Sequence, residues 1–172
     1  AKQLLAFLVF TPEGATKETL LEHVFPHEDV SNDLMNITMM RVRKALEPGL
    51  EKGQPSRFIL RADGRYQLNR EAHVAVDVDA FEAALRDARP GDAGEPAALA
   101  AAVAAYGGTF LPEVEAPWAV AIRLRLQAQA LAAVKRLLAL VDAAEPAAAE
   151  GVLGQGLAID PLDAELNREV IL

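Results

Sequence analysis

Two stretches decide the fold: LMNITMMRVRKALEP at residues 34–48 and FILRADGRYQL at residues 58–68. In the first stretch, apolar residues recur at helical spacing at Met35, Met39, Val42 and Leu46. In the second, two short apolar segments flank Asp63-Gly64, a pair that supplies the positive φ angles of a tight hairpin turn. The sequence therefore predicts a long helix, ended by Pro48-Gly49, and a β-hairpin after it.

Two shorter helices are predicted before the long one. Residues 2–10 carry leucines at helical spacing and stop at Thr11-Pro12, because proline disfavours a helical residue before it. Thr16 is placed to cap a second helix that ends before Pro26, and Ser31 is placed to cap the third. This order of helix, helix, longer helix and hairpin predicts a winged helix-turn-helix within residues 1–72.

From Asp77 onward the composition changes to alanine-rich segments, predicted to be helices over residues 78–88, 96–106, 117–144, 146–159 and 162–172. Because small residues allow helices to approach closely, residues 73–172 are predicted to form an all-α, tetratricopeptide-like domain. The small, large, small, proline order that closes such a repeat is found at Ala149, Leu153, Gly156 and Pro161. The rings of Tyr106 and Trp118 are expected to pack in the core. The fold class is thus mainly α, with a small β-hairpin wing.

Charge is distributed unevenly along the chain. The net charge is −8, yet residues 41–70 carry eight basic and three acidic side chains, a balance of +5. Residues 71–172 balance to −9 and residues 1–40 to −4. One basic window in an acidic chain indicates a local surface for a polyanion. The acidic second domain would be repelled by DNA, so we expect it to face protein.

A helical wheel places the basic residues of the third helix away from its apolar face. Asp33, Ile37, Met40, Arg41 and Lys44 share the opposite arc, with Thr38 and Arg43 on its flanks. Arginine can pair with guanine in the major groove, while lysine mostly finds phosphate, so we assign Arg41 to bases and Arg43 and Lys44 to the backbone. The alternative is a solvated basic helix end, where cations suit the helix dipole.

The hairpin tip carries Arg61 and Arg65, which could reach a neighbouring phosphate or the minor groove. A basic hairpin is also common as a plain solvated surface. Together, however, a basic helix and a basic hairpin separated by one loop fit a single footprint on DNA.

Several other functions are not supported. With no cysteine in the chain, disulfides, thiolate nucleophiles and sulfur-bound zinc are excluded. His23 and His27 have the residue type of a metal site, but Pro26 interrupts their helix, and we expect a solvated loop. No phosphate loop, catalytic triad or phosphoacceptor domain is recognisable, so we expect no enzyme activity and no cofactor. We expect a soluble cytoplasmic protein without a membrane partner.

The segments TLLEHVF, LMNITMMRVRKALEP and FILRADGRYQL resemble the second helix, recognition helix and wing of OmpR/PhoB-type regulators, above all in VRKALEP and Tyr66. This resemblance implies base contacts at the position of Arg41 and phosphate contacts at Arg43, with Ile37 and Thr38 also facing the groove. Met40 departs from it, because the family usually has a polar or basic residue there, as does Asp33, where arginine is common. The small sheet that precedes the first helix in that family has no counterpart here, and LNREVIL breaks off within a predicted helix, so we expect missing segments at both ends.

The second half resembles the bacterial transcriptional activator domain of SARP-family regulators in VDVDAFEAAL, AVAAYGGTFLPEVEAPWA, Arg123 and GLAIDPLDAEL. The resemblance implies a transcriptional regulator that binds double-stranded DNA and contacts RNA polymerase or another protein through its helical domain. The sequence leaves open whether the protein forms a homodimer. The alternative is an interaction scaffold in which the winged helix docks protein and not DNA, and exposed Ile37 and Met40 would suit it.

Overall fold

The computed structural model describes residues 1–25, 32–51, 53–141 and 146–169. The chain divides into two compact units, one made of Ala1–Val74 with Val114–Trp118 and the other of Ala75–Glu113 with Ala119–Leu172. The described residues are mainly helical and include one small antiparallel sheet. The segment Val114–Trp118 belongs to the first unit although it lies within the predicted second domain.

The described residues of the first unit form three α-helices, α1 (Lys2–Val9), α2 (Lys17–Val24) and α3 (Asn32–Leu46), close to the predicted bounds, and a short 3-10 helix at Arg70–Ala72. The predicted cap of α2 is confirmed, since the hydroxyl of Thr16 accepts a hydrogen bond from the amide of Thr19 at 3.2 Å. The predicted cap at Ser31 and the loop with Pro26 and His27 lie outside the described residues.

The predicted hairpin is confirmed as strands β2 (Ile59–Ala62) and β3 (Arg65–Leu68), with Ala62 opposite Arg65. Asp63 and Gly64 both have positive φ, 50° and 75°, as a two-residue type I′ turn requires. A further strand, β1 (Ala15–Thr16), was not predicted; it pairs with β3, so the strand order is β1-β3-β2. Gly14 precedes it with a φ of 76°.

The core of the first unit lies between α1, α2, α3 and the sheet, and its fully buried side chains include Leu4, Leu8, Leu20, Met35 and Ile59. Trp118 belongs to this unit. Its indole N–H donates to the carbonyl of His23 at 2.9 Å, and its ring meets Phe7 edge-on at 5.1 Å. Trp118 is half-buried, so the expectation that its ring packs in the core is met in part, and in the unit of the hairpin and α3.

In its described residues the second unit is all-α, and its helices begin or end close to the predicted bounds: α4 (Asp77–Asp87), α5 (Glu95–Ala105), α6 (Pro117–Leu140, of which the first two residues belong to the first unit), α7 (Pro146–Ile159) and α8 (Ala164–Glu169). The predicted start of the last helix at residue 162 was wrong. The carboxylate of Asp163 accepts from the amides of Glu165 and Leu166 at 3.0 and 3.1 Å, so it acts as the N-cap.

The core of this unit joins α5, α6 and α8 through Leu99, Val134 and Leu166, whose side chains are fully buried. Gly156 of α7 lies against the same cluster, because a Cβ there would come within 2.7 Å of both Val134 and Leu166. The ring of Tyr106 packs against Phe81 at 5.9 Å, but Tyr106 is only half-buried, so the expectation that it packs in the core is met in part. Small residues thus let these helices approach closely.

Candidate nucleic-acid interface

Helix α3 presents two different faces. Met35, Met39 and Val42 are buried against the core of the first unit. On the other side, the exposed residues include Asp33, Ile37, Met40, Arg41 and Lys44. The wheel assignment of these five residues to one solvent-facing arc agrees with their exposure, so α3 offers one cation-bearing surface. We call this set the outer face of α3.

Thr38 does not lie on that face. Its side chain is only 5% exposed, so the expectation that it faces a groove is corrected. At 3.6 residues per turn Thr38 lies about 60° from Met35 around the helix axis, and a core-facing stripe is typically about 100° wide or more. Thr38 therefore belongs to the buried stripe despite its hydroxyl.

Arg43 lies at the edge between the two faces and is partly buried. Its Nε is shielded from solvent and has no hydrogen-bond partner within the described part of the chain. A buried guanidinium N–H without a partner is costly, so a hydrogen bond to this group would be stabilising.

The two hairpin arginines lie on opposite faces of the hairpin, because side chains alternate along a strand. Arg61 is paired with Tyr66, and its guanidinium lies 5.5 Å from the centre of that ring. Arg65 is paired with Ala62, and it donates to the carbonyl of Gly14 at 3.0 Å. The structure therefore does not bring the two predicted tip cations together on one side.

Arg61 instead joins the cations of α3. A cleft of about 390 Å³ separates the C-terminal half of α3 from the hairpin, and Arg43, Lys44 and Arg61 all contribute to its lining. Met40 and Tyr66 supply apolar surface, and Glu51 supplies a carboxylate. Sequence reasoning missed two polar lining residues, Asn36 and Gln54. Asn36 could have been found, since it lies one turn before Met40, whereas Gln54 is placed only by the loop.

The position of the hairpin relative to α3 is set by Glu47. Its carboxylate accepts from the hydroxyl of Ser56, and also from the amide of Arg57 at 3.1 and 3.2 Å. The Ser56 hydrogen bond and the Arg57 and Phe58 amides hold the pKa of Glu47 below its ordinary value. The carboxylate that follows α3 thus ties the helix to the strand carrying Arg61.

Residues 76–172 match the family described as the bacterial transcriptional activator domain. This segment is more than half of the chain and contains all of α4 to α8. The chain belongs to this family. Membership makes it a bacterial transcriptional activator-type protein. A comparison with curated proteins gave no match.

Within the activator domain, buried polar groups fix the connections between helices. Glu95 is 5% exposed; it accepts from the amide of Gly91 at 2.6 Å and pairs with Arg136 of α6, which also donates to the carbonyl of Ala88 at 2.8 Å. The Gly91 amide and the Arg136 guanidinium hold the pKa of Glu95 below its ordinary value. The loop between α4 and α5 is therefore clamped to α6.

A second arginine of α6, Arg123, donates to the carbonyls of Phe110 and Leu111. Leu111 has a φ of 41°, an uncommon angle for a side chain of this kind. Arg123, which carries part of the family resemblance, thus holds the loop between α5 and α6. In this structure Arg123 fixes the backbone conformation of that loop.

No group of three or more metal-binding side chains occurs in the ranges that the structure describes. Over the same ranges, no helix is both long and apolar enough to cross a membrane.

Proposed function

We propose that the first unit binds double-stranded DNA in a sequence-specific manner and that the activator domain contacts a protein partner, so that the chain regulates transcription. One observation carries the proposal. Arg43 and Lys44 of α3 and Arg61 of the hairpin line a single cleft, and Arg41 stands exposed on the outer face of α3. A polyanion is the ligand class that such a set of cations fits.

The two grooves of DNA are separated by a sugar-phosphate backbone. If α3 enters the major groove and the hairpin reaches the backbone or the adjacent minor groove, that backbone must pass between them, where the cleft lies. Arg43 and Lys44 would then contact phosphate, and Arg41 would contact a base. Arg61 would meet the same backbone from the hairpin side, while Arg65 would contact DNA only from the opposite face of the hairpin.

The distribution of charge supports DNA binding by α3 and the hairpin and protein binding by the activator domain. Residues 41–70 balance to +5 and residues 71–172 to −9, so the attraction of a polyanion is confined to the basic window that holds the C-terminal half of α3 and the hairpin. The activator domain would be repelled by DNA because of its negative charge, and this suits a protein partner such as RNA polymerase. We propose no catalytic role for either unit.

DNA binding is tested by measuring the affinity of the whole chain for DNA at a series of salt concentrations. Affinity for a selected DNA site should fall steeply with salt, because each phosphate contact releases a counterion. Lys44→Ala should weaken binding to all sequences alike and reduce the salt slope by about 1, while Arg41→Ala should relax preference at one base pair. Arg89→Ala is the matched control, since it removes one exposed cation from the second unit. A flat salt response, or equal losses from Arg89→Ala and Lys44→Ala, would contradict the proposal.

A second candidate function is protein docking by the winged helix itself, favoured by the exposure of Ile37 and Met40. In that case the chain would bind no DNA, and Ile37→Ala would weaken a protein complex instead. The salt series separates the two candidates, because only DNA binding requires the steep dependence.

A further inference from the structure

The outer face of α3 carries two large apolar side chains among its charges. Ile37 is 41% exposed and Met40 is 49% exposed. Arg41 and Lys44 are exposed beside them, and Asp33 begins the same face. Burial of these apolar side chains in a complex is favourable, but the surface that covers them must also offer negative charge or hydrogen-bond acceptors to the neighbouring cations. That combination restricts the classes of ligand that can bind the outer face of α3.

DNA meets both requirements at one place. Its phosphates neutralise cations, and in the major groove thymine presents a C5-methyl group, an apolar contact for aliphatic side chains. A protein-docking patch usually extends over a few hundred Å² of contiguous apolar surface. Two side chains bounded by Asp33, Arg41 and Lys44 fit thymine methyl groups better than they fit a protein.

The spacing of the side chains agrees with the spacing of base pairs. Ile37 and Met40 are three residues apart, which is about 4.5 Å along the helix axis. Successive nucleotides of one strand are about 3.4 Å apart along the duplex. Side chains three or four residues apart can therefore meet neighbouring base pairs, and Arg41 follows Met40 directly.

We infer that Ile37 and Met40 are specificity-determining residues that read the methyl groups of thymines, within about two base-pair steps of the guanine that Arg41 contacts. The inference rests on the proposed function, since it assumes that α3 lies in the major groove. It goes further by naming what the apolar part of the face recognises. A polar residue at position 40 would have no such preference for a methyl group.

The test changes only the methyl group. Sequences bound by the whole chain are selected from random DNA, and each thymine of the best site is replaced in turn by deoxyuridine, which lacks the C5-methyl group. At one or two positions next to a guanine, affinity should fall about fourfold for each methyl removed, the value expected for one buried methyl. Thymines elsewhere in the site should tolerate the change.

Variants then assign each methyl to a side chain. Ile37→Ala should abolish the thymine-to-deoxyuridine difference at one position and keep it at the other, and Met40→Ala should do the reverse. Leu124→Ala is the control, because it truncates an exposed apolar side chain of the second unit and should leave both differences intact.

The outcomes separate the inference from the proposed function. Salt-dependent binding with no deoxyuridine effect, or with effects that neither variant removes, would overturn the inference alone. Failure of the whole chain to bind any DNA would overturn the proposed function and the inference with it, and would assign Ile37 and Met40 to protein docking.

Discussion

Glu47 and Ser56 are hydrogen-bonded to each other across the loop between α3 and the hairpin. The Ser56 oxygen in turn accepts from the amides of Phe58 and Ile59 at 3.2 and 3.0 Å. One hydroxyl group therefore connects the carboxylate that follows α3 to the backbone at the start of β2. The angle between the helix and the hairpin depends on this connection.

Ser56→Ala should destabilise the first unit by about 1–3 kcal/mol, because Ser56 is buried and the two amides lose their acceptor. The measurement is urea unfolding followed by the fluorescence of Trp118, the single tryptophan of the chain, which packs in this unit. Thr109→Ala removes an exposed hydroxyl from the second unit and should leave this transition in place. An unchanged midpoint for Ser56→Ala would mean that the hydrogen-bond chain is dispensable.

Gly14→Ala should be more destabilising than Gly64→Ala. Both glycines have a φ near 75°, so alanine at either position is strained, at roughly 1–2 kcal/mol. A Cβ at Gly14 would also come 2.9 Å from the carbonyl oxygen of Tyr66 in β3, whereas at Gly64 it would meet nothing within 4 Å. The same urea experiment measures both variants. Equal losses would show that β1 and β3 separate easily.

Gly156→Ala and Gly154→Ala should change stability in opposite directions. At Gly156 a Cβ would approach Leu166 and Val134 to 2.6 and 2.7 Å, and overpacking of this kind costs about 1–3 kcal/mol, which should outweigh the gain of up to about 1 kcal/mol from alanine as a better helix former. At Gly154, in the same helix, nothing lies within 4 Å, so alanine should stabilise by up to about 1 kcal/mol. Thermal unfolding followed by circular dichroism measures both. A stabilising Gly156→Ala would show that α7 does not pack as described.

The Glu95–Arg136 pair should make the activator domain sensitive to acid. The pKa of Glu95 is lowered in the folded state, so its stabilisation is present above its ordinary value of 4.5 and is lost as the pH falls through the lower, folded value. Glu95→Gln should therefore lower stability at neutral pH and flatten the pH dependence below 4.5. Acid titrations followed by circular dichroism test this. Glu150→Gln, at an exposed position of α7, is the control, and the same flattening there would contradict the assignment.

The sequence predicted those parts of the fold that depend on neighbouring residues. The periodicity of Met35, Met39 and Val42 predicted α3 and its buried face, and Asp63-Gly64 predicted the hairpin turn; the structure agrees with both. Strand β1 was missed because two residues carry no pattern. Ala15 is extended only because it pairs with Tyr66, far along the chain.

The candidate site was predicted less completely, for the same reason. Arg41 and Lys44 were placed correctly on an exposed face because helical spacing is enough to place them. Thr38 was misplaced because the family resemblance assigned it to the groove, whereas its angle to Met35 puts it in the buried stripe. The faces of Arg61 and Arg65 depend on strand register, and the Glu47–Ser56 bond depends on a loop, so neither followed from composition or spacing.

The assignment of Val114–Trp118 to the first unit has a practical consequence for dissecting the protein into fragments. A gene fragment that stops at residue 74 would remove the edge-on partner of Phe7 and the donor to the His23 carbonyl. Weak DNA binding by such a fragment would then result from the incomplete core of the first unit and not from a recognition surface that binds DNA poorly. A cut by a protease between residues 75 and 113 would instead leave every segment of the first unit present, in two pieces.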